Sequence, residues 1–198
     1  MKLIKLTLAV LLFMTGSSLA KEAKFIVDDP GGRNVAEFTS KAPIENVIGT
    51  TSAVTGFVSF DPVDLSKPAK ANIKVDLTKV TTGIAMRDEH MRSKDYLNTS
   101  EYPEAIFAME GLLKTASSSM PEGEPVDVTL KGKFTIHGVT RTVEVTGKAT
   151  YLKEVSGLVE MGYPGDILNF DGAFTVLLND YKIKRPQFLV LKLSLIHI

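Results

Sequence analysis

Apolar and polar residues alternate along several segments of the chain. The alternation is strict over 71–77 and returns over the longer segments 126–136 and 142–151. Because successive side chains of a strand point to opposite faces of a sheet, this pattern predicts antiparallel strands with one buried and one solvated face. The two longer segments flank His137-Gly138 and predict a long hairpin. Shorter apolar segments predict further strands at 24–28, 34–40, 53–60, 105–114, 168–178 and 187–195.

One segment interrupts this series of strands. Residues 84–99 show no alternation, Gly83 precedes them and Pro103 follows, so they predict a short helix and a loop inserted between strands. About eight or nine strands with so little helix indicate an all-β domain, either a sandwich or a closed barrel. The pattern argues against a transmembrane barrel, because the polar faces carry several lysines and no Tyr/Trp girdles frame the strands.

The amino-terminal segment has the composition of an export signal. Two early lysines precede an apolar run at 6–14, broken only by Thr7, and small residues lead up to Ala20. The apolar run is much shorter than the roughly 20 residues that a membrane-spanning helix needs. We therefore expect residues 1–20 to be removed as a signal peptide and residues 21–198 to form a single domain.

Composition narrows the functional classes further. The 198 residues carry 23 Lys+Arg and 23 Asp+Glu, and this balance argues against a nucleic-acid-binding protein with a basic face. The absence of cysteine excludes zinc–thiolate sites, iron–sulfur clusters, thiol catalysis and disulfides. The three histidines have no His-x-x-x-His spacing. We expect neither a metal site nor a cofactor.

Four motifs, in this order and spacing, resemble those of the YceI-like family. They are Arg-Asp-Glu-His-Met-Arg-Ser-Lys-Asp-Tyr-Leu at 87–97, Tyr-Pro-Glu-Ala-Ile-Phe at 102–107, Phe-Thr-Ile-His-Gly-Val-Thr-Arg at 134–141 and Leu-Asn-Asp-Tyr-Lys-Ile at 178–183. The resemblance covers roughly residues 24–192. It implies a periplasmic, lipocalin-like antiparallel barrel of about eight strands, with the short helical insertion near 84–99, that encloses a long polyisoprenoid chain. It implies no catalytic residues.

The chain departs from the usual family pattern at several positions. Leu178 and Lys182 stand where the last motif usually has Arg and Gly. Asn34-Val35 and Lys41-Ala42 stand where many members have His-Ser and a later His. These differences leave open a subfamily that recognises a different ligand head group.

The alternation also predicts which side chains point into a barrel. Their faces carry almost no ionisable group, which suits an alkyl or isoprenoid chain better than a sugar or an amino acid. The same side chains would equally fill a solid core, so both interpretations stay open. The residues expected to line a cavity are Phe38, Val58, Phe60, Ile73, Val75, Leu77, Phe107, Met109, Leu130, Phe134, Ile136, Val145, Ala149, Phe170 and Phe174.

Polar chemistry is concentrated at Arg87, Asp88, His90 and Arg92. As a head-group site, the guanidinium forks would bind phosphate oxygens, or the imidazole a quinone. As a structural clamp, Arg87 or Arg92 would form ion pairs with Asp88 or Asp95 and hold the insertion against the barrel. We favour the clamp, because this spacing is not one used for acid–base catalysis.

The leading hypothesis is a periplasmic carrier that holds an isoprenoid lipid, such as a quinone, a quinone precursor or a polyprenyl phosphate. The alternatives are an enzyme acting on such a lipid through Asp88 and His90, and a ligand-free structural or stress-related barrel. The expected partner is the lipid alone; nucleic acid is not expected, no membrane span is expected after signal cleavage, and a homodimer is left open.

The last six residues, 193–198, equal the translation of a common sequencing-adapter end. We expect them to be a non-native tail. The alternative is a genuine strand end, because the alternation of Leu189, Leu191 and Leu193 continues into them.

Overall fold

The computed structural model describes residues 22–27, 32–41, 45–154, 156–160, 164–184, 187–188, 191–192 and 196–197. Strands dominate this part of the chain. They are β1 (Ala23–Val27), β2 (Ala36–Lys41), β3 (Asn46–Thr51), β4 (Val54–Phe60), β5 (Lys70–Asp76), β6 (Glu104–Thr115), β7 (Pro125–Ile136), β8 (Val139–Leu152), β9 (Ile167–Ala173), β10 (Thr175–Val176), β11 (Gln187–Phe188), β12 (Leu191–Lys192) and β13 (Ile196–His197). The helices are α1 (Ala85–Arg92) and α2 (Ser156–Glu160), with 3₁₀ turns at Leu77–Lys79 and Leu178–Tyr181.

Seven strands form one antiparallel sheet in the order β1-β4-β5-β6-β7-β8-β9, and the sheet is a nearly closed barrel. A second sheet has the order β10-β13-β2-β3. Its β2–β3 hairpin lies over one end of the barrel, where backbone hydrogen bonds of 2.9 and 3.0 Å join Thr50 and Thr81 in both directions. The expected all-β barrel with one inserted helix is confirmed.

The predicted long hairpin is β7–β8, paired without a break from Ile136↔Val139 to Pro125↔Thr150. His137 and Gly138 form its two-residue turn, with φ of 53° and 70°. Positive φ at both positions defines the turn type that matches the right-handed twist of the strands. A Cβ on Gly138 would lie 2.6 Å from the Tyr102 ring, so glycine is also needed for space.

Strand β3 was not among the predicted elements. Its sequence, Asn-Val-Ile-Gly-Thr-Thr, has two adjacent apolar residues and a glycine in place of alternation. In the structure Phe38 of β2 pairs with Gly49 of β3, and its ring occupies the space that a Cβ on Gly49 would fill. The predicted strand at 168–178 is divided at Phe174 into β9 and β10.

Some predictions fall outside the described residues. The signal segment 1–20 does so entirely. Of the predicted strand 187–195, only the paired residues of β11 and β12 are described. Of the expected tail, Ile196 and His197 pair with β2 and β10.

Most of the buried apolar side chains form two clusters. The cavity-side cluster lies under the β2–β3 hairpin and comprises Leu77, Val80, Ala105, Phe134, Ile136, Val176, Leu178, Tyr181 and Ile183. The base cluster comprises Phe60, Met120, Val126, Val128, Ala149 and Tyr151. The strands β7 and β8 are long enough to contribute to the barrel over its whole height.

Candidate functional site

A cavity of about 200 Å³ lies between the β2–β3 hairpin, α1 and the cavity-side cluster. The hairpin supplies Phe38 and Val47 to its wall, the barrel supplies Val75 and Phe134, and the helix supplies Met91. The wall is therefore mostly aliphatic and aromatic. The polar residues on it are Glu37, Ser40, Thr82, Arg87, His90, Tyr96 and Lys184.

The side chains expected to line a single cavity are divided between the two ends of the barrel. Those on the wall are Phe38, Val75, Leu77, Phe134 and Ile136. Phe107 and Phe174 pack against the cavity-side cluster. Val145 is buried on β8, and Ile73 and Met109 are half-buried on β5 and β6. Within the base cluster or packed against it are Val58, Phe60, Leu130 and Ala149.

Phe170 differs most from its expected place. Its side chain is 40% exposed. It lies on β9, the last strand of the seven-stranded sheet, and its ring covers Gly172 and Gly147. The expectation that Phe170 lines an enclosed cavity does not match this exposure, since the ring lies against the backbone of a glycine on β8 and another on β9.

Several wall residues were missed by the sequence analysis. Val47 and Gly49 belong to the unpredicted strand β3, and Met91 and Leu97 belong to the inserted segment. A signal for the latter pair exists, since they are apolar positions in a strongly polar motif. An exposed insertion would not need them.

Asp88 of α1 is buried, and its carboxylate accepts three hydrogen bonds. Its carboxylate accepts from Thr81 Oγ1 at 2.7 Å, from Thr82 Oγ1 at 2.6 Å and from the Thr82 backbone N–H at 2.8 Å. Burial by itself raises the pKa of Asp88. The hydrogen bonds from Thr82 and Thr81, with the charge of Arg92, outweigh burial and place the pKa below its usual value.

The two arginines of the motif contact the same loop. Arg92 Nη1 donates to the carbonyls of Val80 at 2.8 Å and Thr78 at 3.2 Å. Arg87 Nε and Nη2 donate to Thr82 Oγ1 and its carbonyl at 2.8 and 3.1 Å, and Arg87 Nη1 donates to Glu45. These contacts tie the helix to the segment after β5 and to the start of β3.

The bonds of this segment differ from the expected ion pairs. None of the ion pairs found among the described residues joins Arg87 or Arg92 to Asp88 or Asp95. Arg87 pairs with Glu45, and Asp95 pairs with Lys184. Threonine hydroxyls and backbone carbonyls take the places that the sequence analysis gave to charged side chains.

His90 lies on the cavity wall, but Asp88 does not. The two groups that an enzyme would need as acid and base are therefore separated, with Asp88 directed at Thr81 and Thr82. His137 lies in the hairpin turn, where its Nδ1 is 3.2 Å from the Tyr181 carbonyl. Within the described part of the chain, no cluster of His, Asp and Glu could hold a metal ion.

The model of the YceI-like domain family matches residues 27–195. The chain belongs to the YceI-like family. Protein YceI of Escherichia coli O157:H7 is 31% identical over 185 residues, which cover 92% of this chain and 86% of that protein. The helices that the structure describes include none with the length and apolar character to cross a membrane.

Two solved structures share the fold. Burkholderia cenocepacia BcnA has a TM-score of 0.53 at 20% identity, over 81% of this chain and 94% of that one. A polyisoprenoid binding domain from Saccharophagus degradans, implicated in plant cell wall breakdown, has a TM-score of 0.54 at 15% identity, over 82% and 88%.

One departure from the YceI-like pattern has a visible structural cost. Lys182 follows the 3₁₀ turn at Leu178–Tyr181 in the left-handed region, with a φ of 59°. Glycine, which the resemblance to the YceI-like motif places here, adopts this conformation without steric penalty, whereas a lysine Cβ is crowded.

Proposed function

We propose that the protein is a periplasmic carrier that holds the apolar chain of an isoprenoid lipid, such as a quinone, a quinone precursor or a polyprenyl phosphate. The observation that carries this proposal is the cavity between the β2–β3 hairpin and the barrel, with its aliphatic and aromatic wall. The export signal predicted at residues 1–20 supports a periplasmic location.

The chemistry of the wall favours an alkyl or prenyl group. Val75, Leu77 and Ile136 offer no hydrogen-bonding side chains, so a sugar or an amino acid would lose its bonds to water without replacement. Each buried CH₂ group of a prenyl chain, by contrast, contributes about 0.8 kcal/mol. A polar head group would lie where His90, Tyr96 and Thr82 reach the wall.

The similarity to known proteins points the same way. The Saccharophagus degradans domain is described as polyisoprenoid binding, and it shares this fold. Applied to this chain, that description predicts a ligand with one long apolar chain, which the position and lining of the cavity would accept.

The direct test is to purify the protein from the periplasm and weigh it by native mass spectrometry. We expect a mature chain that begins near Lys21 and carries one apolar molecule, which organic solvent extracts. The Val75→Phe variant should lose most of this occupancy, because Val75 lines the cavity. Val128→Phe is the matched control, since Val128 lies in the base cluster.

A protein that emerges empty and takes up no added prenyl quinone or polyprenyl phosphate would contradict the carrier. The ligand-free structural barrel would then replace it.

The position of His90 on the cavity wall keeps the enzyme alternative testable. We propose binding rather than catalysis, because the carboxylate of Asp88 is occupied by Thr81 and Thr82. Incubation with a prenyl quinone or a polyprenyl phosphate should return the lipid chemically unchanged. A product that forms with the wild type and disappears in His90→Gln would establish the enzyme.

A further inference from the structure

Ser40 differs from the other polar residues of the cavity wall in its burial. It lies on β2, and it is only 7% exposed. Alternation along the strand puts Ser40 on the same face as Phe38, which packs against the cavity-side cluster. Its cross-strand partner on β3 is Val47, another wall residue. The hydroxyl of Ser40 is therefore buried on the inner face of the β2–β3 hairpin, against the cavity.

This hydroxyl has no hydrogen-bond partner among the described residues. The other buried polar side chains in that part of the chain all have one. A buried polar group without a partner lowers stability, and folded proteins rarely retain one. An ordered water would need several polar partners, and the adjacent side chains of Phe38 and Val47 offer none. The hydroxyl of Ser40 therefore points to a polar group on a ligand.

The arginine and the lysine on the cavity wall are already paired. Arg87 donates to Glu45, and Lys184 donates to Asp95. An anionic head group would have to break these ion pairs or leave its charge uncompensated beside an apolar wall. A serine hydroxyl suits an uncharged oxygen better, because it can donate to a carbonyl or accept from a hydroxyl.

We propose that Ser40 selects the head group of the lipid: its hydroxyl binds the oxygen of an uncharged head group, as in a prenyl quinone or its phenolic precursor, in preference to a phosphate. This inference rests on the proposed carrier function and narrows it to one class of lipid. Ser40 adds a contact from the hairpin to those available from His90 and Tyr96 on the same wall.

The first test uses three ligands that share the farnesyl chain and differ at its end: farnesylbenzoquinone, farnesyl phosphate and the hydrocarbon farnesene. Binding is measured by displacement of a fluorescent apolar dye from the purified protein. The wild type should bind the quinone about tenfold more tightly than the phosphate, because Arg87 and Lys184 are already paired. A phosphate that binds as tightly as the quinone would overturn the inference.

The second test removes the hydroxyl by Ser40→Ala, which leaves the shape of the wall nearly unchanged. Quinone binding should weaken about tenfold, whereas farnesene binding should stay within about twofold of the wild type. The matched control is Thr51→Val, because Thr51 is also buried on the inner face of the hairpin but its hydroxyl accepts from the Ala53 N–H at 3.1 Å. The control should lose stability and keep the preference for quinone over farnesene.

The remaining outcomes separate the role of Ser40 from the carrier function. A preference for quinone over farnesene that persists in Ser40→Ala would overturn the role of Ser40 and leave the carrier function standing. A wild type that binds none of the three ligands would overturn the carrier function itself. The empty Ser40→Ala protein should melt no lower than the wild type, since its lost hydroxyl had no partner. A much lower melting temperature would show that the hydroxyl serves the fold, and would overturn the inference.

Discussion

The two ends of the barrel bury similar side chains but differ in how they are closed. In the base cluster Phe25 stacks on Phe60 at 5.4 Å between ring centroids and meets Tyr151 edge-on at 6.2 Å. In the cavity-side cluster Phe134 packs edge-on against Phe174 at 4.9 Å. The elements above it contact this cluster through Phe38, Met91 and Leu97, and hydrogen bonds of Asp88 and Arg87 also hold them at their edges.

This difference explains why the cavity lies where it does. Side chains that interpenetrate leave little space between them, whereas covering elements that are also held at their edges need not fill all the space above the core. An apolar inner face is thus compatible with either a solid or a hollow end of the barrel. The elements that cover each end, and the contacts that hold them, determine whether that end is solid or hollow.

The largest expected effect comes from placing the same bulk at both ends. Ala149→Phe in the base cluster should lower the free energy of unfolding by about 3 kcal/mol, because the buried side chains around it would have to shift. Ala105→Phe, on the cavity wall, should cost about 1 kcal/mol because the ring can enter the cavity. Urea unfolding monitored by circular dichroism measures both, and equal losses would contradict the contrast.

The fastening of the cavity end is tested by Asp88→Asn. An amide would direct an N–H at groups that now donate to the carboxylate. We therefore expect the free energy of unfolding to fall by about 2 kcal/mol. Affinity for the ligand per folded molecule should stay nearly unchanged. A loss of affinity at unchanged melting temperature would instead make this segment part of the head-group site.

The pH dependence of the same variant sharpens the test. The folded state holds the pKa of Asp88 below its ordinary value of 3.8, so the unfolded chain takes up the proton first. The stabilisation by Asp88 is complete above about pH 5 and is lost as the pH falls through the folded pKa. The melting-temperature gap between wild type and Asp88→Asn should therefore narrow in acid.

A smaller effect is expected at the base, where Tyr151 donates to Asp166 at 2.6 Å. Burial and this hydrogen bond raise the pKa of Tyr151 to about 12. Tyr151→Phe should cost about 1 kcal/mol at neutral pH. The raised pKa stabilises the fold below pH 10, and this contribution is lost as the pH approaches 12. The melting temperature of the wild type should therefore approach that of the variant in alkali. Thermal unfolding from pH 8 to 12 checks this.

The smallest effect is a gain of stability at the cavity end. Lys182→Gly relieves the left-handed backbone after Leu178–Tyr181, partly offset by the greater freedom of glycine in the unfolded chain. We expect about 0.5 kcal/mol of added stability and no change in ligand occupancy. Thermal unfolding beside Lys182→Ala, which removes the lysine side chain but keeps a Cβ, would separate the backbone effect from loss of a lysine.

The sequence predicted best the elements that depend only on the two-residue period of apolar and polar positions. The β7–β8 hairpin alternates throughout, and the interruption at 84–99 stands out against it. Parity tells which face a side chain occupies but not its height in the barrel, so Phe60 and Phe134 could not be assigned to different clusters. The partners of Asp88 were also beyond reach, because threonine hydroxyls and backbone groups form no recognisable pattern.

The two-residue turn at His137-Gly138 bears on the order in which the chain folds. Closing it brings together strands that are already neighbours, and each further pair from Ile136↔Val139 outward adds a contact at little additional entropy. The pairing of β1 with β4 must instead close a much longer loop, between Val27 and Gly56 at its nearest pair. We expect the β7–β8 hairpin to nucleate folding, so that substitutions near its turn slow refolding while those in β1 mainly speed unfolding.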